Sequence, residues 1–257
     1  GTLSVVGAVG FNSTATIGGA THLQSTLSVA GATTIGGAAN LLSTATVAGA
    51  TGFLSTVRIA GATSLEGAVV MKSTATVVGA THLQSTLSVA GATSIAGAVY
   101  MGSTATVVGA THLQSTLSVN SNAIIGGTTR LVGATSIEGA AVLKSTVTVI
   151  GATHLQSTLS VTGNAILGGT VRLVGATSIE GAAVLKSTVT VLGATHLQST
   201  LSVAGAAGFA STATIAGTAH ITGNVSLMGT VIHAPNAKVC ASAFYGDGAN
   251  LTNIPAA

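Results

Sequence analysis

The sequence predicts an all-β fold, a triangular β-helix (β-solenoid) of hexapeptide repeats, on three observations. The nonapeptide Thr-His-Leu-Gln-Ser-Thr-Leu-Ser-Val begins at Thr21, Thr81, Thr111, Thr153 and Thr195, and every separation is a multiple of six. Cut from Gly1, the chain reads as 39 hexads without insertion or deletion to Ala234, with Gly or Ser always at position one. Position five is apolar in all of them except the hexad that holds His233. The composition agrees: only 4% of the 257 residues are charged and 2% aromatic, with 35 glycines, against about 25% charged residues in an ordinary globular domain.

Each hexad reads as a short strand followed by a corner. Side chains alternate along a strand, so positions three and five point inward together while position four faces out. Positions six, one and two turn the corner, where Gly is expected to supply unusual backbone angles and Ser or Asn to satisfy backbone groups. The charges up to Ala234 obey this scheme. Arg58, Arg130 and Arg172 stand at position four, and Glu66, Lys72, Glu138, Lys144, Glu180 and Lys186 at position six. Phe11, Phe53 and Phe209 hold position five, each after a Gly at position four (Gly10, Gly52, Gly208). Rings of that size are expected to widen or bulge their levels.

The hexads group into larger units that begin with Ser: five hexads in residues 13–42, 43–72 and 73–102, then seven in 103–144 and 145–186. The longer units gain Ser-Asn-Ala-Ile-Ile-Gly-Gly-Thr-Thr-Arg-Leu-Val and its counterpart at Gly163. Neither five nor seven divides by three, so in a single chain with three hexads per turn each unit starts on a different face. An intertwined homotrimer, one hexad from each chain per level, has no such constraint. It would also bring Glu66 and Lys72, Glu138 and Lys144, and Glu180 and Lys186, each pair one hexad apart, about 4.8 Å from each other across neighbouring chains. The expectation is therefore an intertwined homotrimer, with a single-chain left-handed β-helix as the alternative. The trimer would be roughly 200 Å long and the single-chain coil roughly 70 Å.

The hexads, typified by Val161-Thr-Gly-Asn-Ala-Ile-Leu-Gly-Gly-Thr-Val-Arg-Leu, resemble the hexapeptide-repeat β-helix family. Strings such as Ser25-Thr-Leu-Ser-Val-Ala-Gly-Ala-Thr also look like the shafts of bacteriophage and viral tail fibres. After Ala234 the frame loosens and both prolines, Cys240 and the only Asp, Asp247, enter. There Tyr245-Gly-Asp-Gly-Ala-Asn-Leu-Thr-Asn-Ile-Pro resembles the junction that precedes a tip or chaperone domain in such fibres. Two regions are expected: a shaft over residues 1–234 and a junction segment over 235–257. Cys240 reads as a buried small residue.

The resemblance implies a structural fibre shaft on a virion or extracellular surface appendage, projecting a receptor-binding or adhesive tip. Its partners would be two copies of itself and a tip or further fibre proteins at the C-terminal end. The alternatives are a cellular filament or adhesin stalk and, with less support, an ice-binding solenoid using Thr-x-Thr at Thr14, Thr44, Thr74 and Thr104. No enzyme is expected, because enzymes of the hexapeptide-repeat family need extruded loops, whereas this frame is unbroken and the chain has four carboxylates. No cofactor is expected. Seven basic residues in the whole chain imply no nucleic-acid partner. Gly, Ser or Thr interrupts every apolar run well short of the length a membrane span needs. The chain opens at Gly1 without a signal-type segment, as a mature product or a fragment would. His22, His82, His112, His154 and His196 repeat one outward context and read as surface. His233 alone sits inward, and on a threefold axis it would be a metal ligand or a hydrated plug.

Overall fold

A computed structural model describes residues 1–227, with side chains to residue 225. Within them the chain forms 38 three-residue strands, one in every hexad, from β1 (Leu3–Val5), β2 (Val9–Phe11), β3 (Ala15–Ile17) and β4 (Thr21–Leu23) to β38 (Val225–Leu227). They are the hexad positions three to five at every step. No helix occurs among the described residues.

Each strand pairs in parallel with the strand three further on, so β1 lies on β4 with Leu3 opposite Thr21, Ser4 opposite His22 and Val5 opposite Leu23. Three parallel sheets of 13, 13 and 12 strands result, the first starting at β1, the second at β2 and the third at β3. The fold is a parallel β-solenoid of about 12 turns, with three hexads to a turn. The ladder reaches past the strands: Leu3 N donates to Ala20 O at 2.8 Å and Gln24 N to Val5 O at 3.0 Å. Position one stays outside it, apart from Gly37 N donating to Gly19 O at 3.2 Å.

This pairing lies within one chain, not with the neighbouring chains that the intertwined homotrimer would supply. The consequence for the charges is direct. Glu66 follows a strand of the second sheet and Lys72 one of the third, so the two stand on successive corners and do not stack.

Positions three and five are buried along the whole middle of the rod, from Leu23 and Ile35 to Leu201 and Val203. Each fully buried aliphatic side chain contributes about 1.5–3 kcal/mol. The nine charged residues between Arg58 and Lys186 are all exposed, as position four or six requires. Position three is less tidy. Eleven of its threonines, Thr21 and Thr93 among them, bury an Oγ1 with no hydrogen-bond partner, at about 1–3 kcal/mol for each unmet group.

Two expectations need correction. Phe53 is 2% exposed, and the ladder passes it without a bulge, Phe53 lying between Ile35 and Met71 in register. The coil sets one ring in that turn, with the aliphatic Val47 and Ile59 at position five of the hexads before and after it. The corner glycines also play a different part: none of those described has a left-handed φ. As they stand they sit in close approach, a Cβ on Gly163 lying 2.5 Å from the Ser145 carbonyl carbon of the coil below, whereas other corners take Ser at the same position. By contrast, a Cβ on Gly52 would meet nothing nearer than 3.7 Å.

Candidate functional site

The outer surface carries everything that is not core, and the three-hexad turn decides which outer residues meet. Position four forms a column on each sheet. On the first sheet His22 is followed by Asn40, whose Nδ2 donates to His22 Nδ1 at 3.1 Å, and then by Arg58. Further along, Arg130 Nη1 donates to His112 Nε2 at 3.1 Å. On the second sheet Tyr100 stacks on His82 with ring centroids 4.8 Å apart and 21° between planes, and Arg172 stands in register on His154.

Asn40, Tyr100, Arg130 and Arg172 thus each lie directly next to a repeat histidine in the column, and Arg58 follows Asn40. By their repeated context alone these histidines are bare surface, and the pairing does not show. The signal was present as the three-hexad spacing shared by His22/Asn40, His82/Tyr100, His112/Arg130 and His154/Arg172. It is visible only once the turn is known to be three hexads.

Asn at position two serves the corner, as expected, but across a coil: Asn122 Oδ1 accepts from Ala140 N at 2.8 Å and Asn164 Oδ1 from Ala182 N at 2.9 Å. Gly139 leaves room for this, because a Cβ there would lie 2.5 Å from Asn122 Oδ1.

Shallow grooves run along the sheets between the position-two and position-four columns. The groove on the first sheet, about 500 Å³, passes Thr74, His112, Arg130 and Thr148. That on the second, about 550 Å³, repeats the arrangement with Thr116, His154, Arg172 and Thr190. The second follows from the first by a shift of seven hexads, which moves the pattern on by one sheet.

The Thr-x-Thr pairs separate: Thr16 lies on the third sheet, Thr46 on the second, Thr76 on the first and Thr106 on the third. They build no single flat rank. Among the described residues no three His, Cys, Asp or Glu side chains gather as a metal site would require. His233, Cys240 and the junction segment over 235–257 lie outside the described residues. Compared with known families, curated proteins and solved structures, the chain matches none.

Proposed function

We propose that the protein is a structural shaft, a passive spacer that holds a receptor-binding or adhesive tip away from a virion, with a cellular filament or adhesin stalk as the alternative setting. The observation that carries this is the uninterrupted ladder: among the described residues there are 38 strands, one in every hexad, with no loop extruded between them. Such a form transmits position and offers little shelter for chemistry. Antibody labelling of the intact source tests it. Label along thin surface appendages is expected; label inside the particle or cell, or saturable turnover by the purified rod, overturns it.

An intertwined homotrimer is the second reading of how the shaft is assembled, and two observations favour it. The eleven unpartnered threonine hydroxyls would each meet two copies of themselves around a threefold axis. Glu66 and Lys72 would stack on neighbouring chains. The register of histidine with Asn40, Tyr100 and Arg130 favours the single-chain coil instead. Rod length separates the two. Sheets of at most 13 strands give a coil of about 60 Å over the described residues, and the intertwined form is about three times longer.

A further inference from the structure

The coil sorts the charges by side of the rod, which their spacing in the sequence does not announce. Arg58 and Arg130 are position-four residues of the first sheet. Lys72 and Lys144 occupy the corner at which the chain enters that same sheet, just before Thr74 and Thr146. Arg58 is paired with Thr76 and Arg130 with Thr148, so the two arrangements are copies. Between them runs the groove that passes His112. Over residues 57–149 this face carries four cations and no carboxylate.

Glu66 and Glu138 follow strands of the second sheet, at the corner between the second and third sheets. That corner is the one that does not border the first sheet. Glu66 to Glu138, Arg58 to Arg130 and Lys72 to Lys144 are each twelve hexads apart, which is four full turns, or about 19 Å along the rod. The acidic edge and the basic face therefore have the same repeat. Their heights also match: Glu66 lies within half a turn, about 2 Å, of both Arg58 and Lys72 in height.

We infer that the acidic corner of one rod docks on the first-sheet groove of a second copy, the two rods lying side by side, parallel and without axial shift. Glu66 then faces the partner's Arg58 and Lys72, and Glu138 faces the partner's Arg130 and Lys144. Exposed Val70, Val78 and Ile150, at 44, 49 and 48% exposure, stand on the sheet or corner next to these charged edges and add apolar area. The contact is heterologous, with different surfaces from each rod, so it continues into rings or bundles. A polyanion is a poorer occupant. A nucleic-acid strand carries a charge about every 3.4 Å, whereas the cations here come in two clusters about 19 Å apart. The third cluster, Arg172, Glu180 and Lys186, is rotated by one sheet and lies outside the contact. The inference rests on the single-chain coil and is independent of what the shaft carries.

Sedimentation of the full chain at low and high salt tests it. Wild type is expected to associate at low salt and dissociate as salt screens the contact. Glu66→Lys with Glu138→Lys, and separately Lys72→Glu with Lys144→Glu, are each expected to abolish association while leaving the melting curve unchanged. Mixed, the two variants bring the intact acidic corner of one to the intact basic face of the other, so association is expected to return in the mixture alone. Lys186→Glu is the control and associates as wild type does. A wild type that stays monomeric at low salt, or double variants that associate normally, overturns the inference. So does an assembled particle about three times the coil length, the mark of intertwined chains.

Discussion

Residues 13–102, built from five-hexad units, and residues 103–186, built from seven-hexad units, share one interior and differ on the outside. Val29, Leu83 and Val89 in the first stretch are buried as completely as Leu113, Val119 and Leu155 in the second. The two added hexads leave the core alone because the core repeats with every hexad, and any whole number of hexads preserves it. They change the surface because the surface repeats only with every third hexad. The added pair places Asn122 and Asn164 under the next corner and Arg130 and Arg172 on a repeat histidine. Insertion length thus acts as a rotational setting, each seven-hexad unit carrying its pattern on by one sheet.

The largest effect should ignore the boundary between the two stretches. Leu83→Asp and Leu113→Asp both put a carboxylate at positions that are 1% and 2% exposed, a cost of several kcal/mol. Circular dichroism and electron microscopy should find no intact rod in either case, while His112→Ala, beside Leu113 but outward, should melt within about 0.5 kcal/mol of wild type. Intact rods from either aspartate variant would mean that position five does not face the core.

Glycine should separate corner from strand in both stretches alike, since a Cβ on Gly61 of the first is as crowded, at 2.5 Å from the Ser43 carbonyl carbon, as one on Gly139 of the second. Gly139→Ala in the second forces a methyl against Asn122 Oδ1 and the Ser121 backbone, for an expected loss of about 1–3 kcal/mol. Gly52→Ala in the first has free space and should be neutral or stabilising by up to about 1 kcal/mol. Equal melting shifts for the two would sink the close-approach explanation of the corners.

Threonine sharpens the comparison with the intertwined alternative, because the sign of the effect differs. In the coil, Thr93→Val and Thr135→Val each remove a buried hydroxyl that has no partner, and each should stabilise by about 1 kcal/mol. That is a rise in melting temperature of roughly 2–4 °C for a chain this size. Around a threefold axis the same changes would delete mutual hydrogen bonds, and melting would fall.

An effect of similar size belongs to the second stretch alone. Asn122→Ala removes the 2.8 Å bond to Ala140 N and should cost about 0.5–1.5 kcal/mol. The corresponding position-two change Thr86→Ala, in the five-hexad stretch where no such side-chain bond is made, should be near zero. Thermal melts of both variants decide it.

The order of residues alone makes legible the hexad frame, the strand at positions three to five, the inward and outward sides, and the exposure of all nine charges from Arg58 to Lys186. These follow from local physics: alternation along a strand, and the small residues a corner needs. It did not determine which hexad lies on which. Every hexad offers the same aliphatic position five, so the apolar pattern is equally satisfied by the next hexad on another chain or by the third hexad on the same one. It is the coiling that brings His112 to Arg130 and Asn122 to Ala140 and that parts Glu66 and Lys72 to different corners. Those contacts depend on the number of hexads in a full turn, and a repeat that is locally uniform carries no local record of that number.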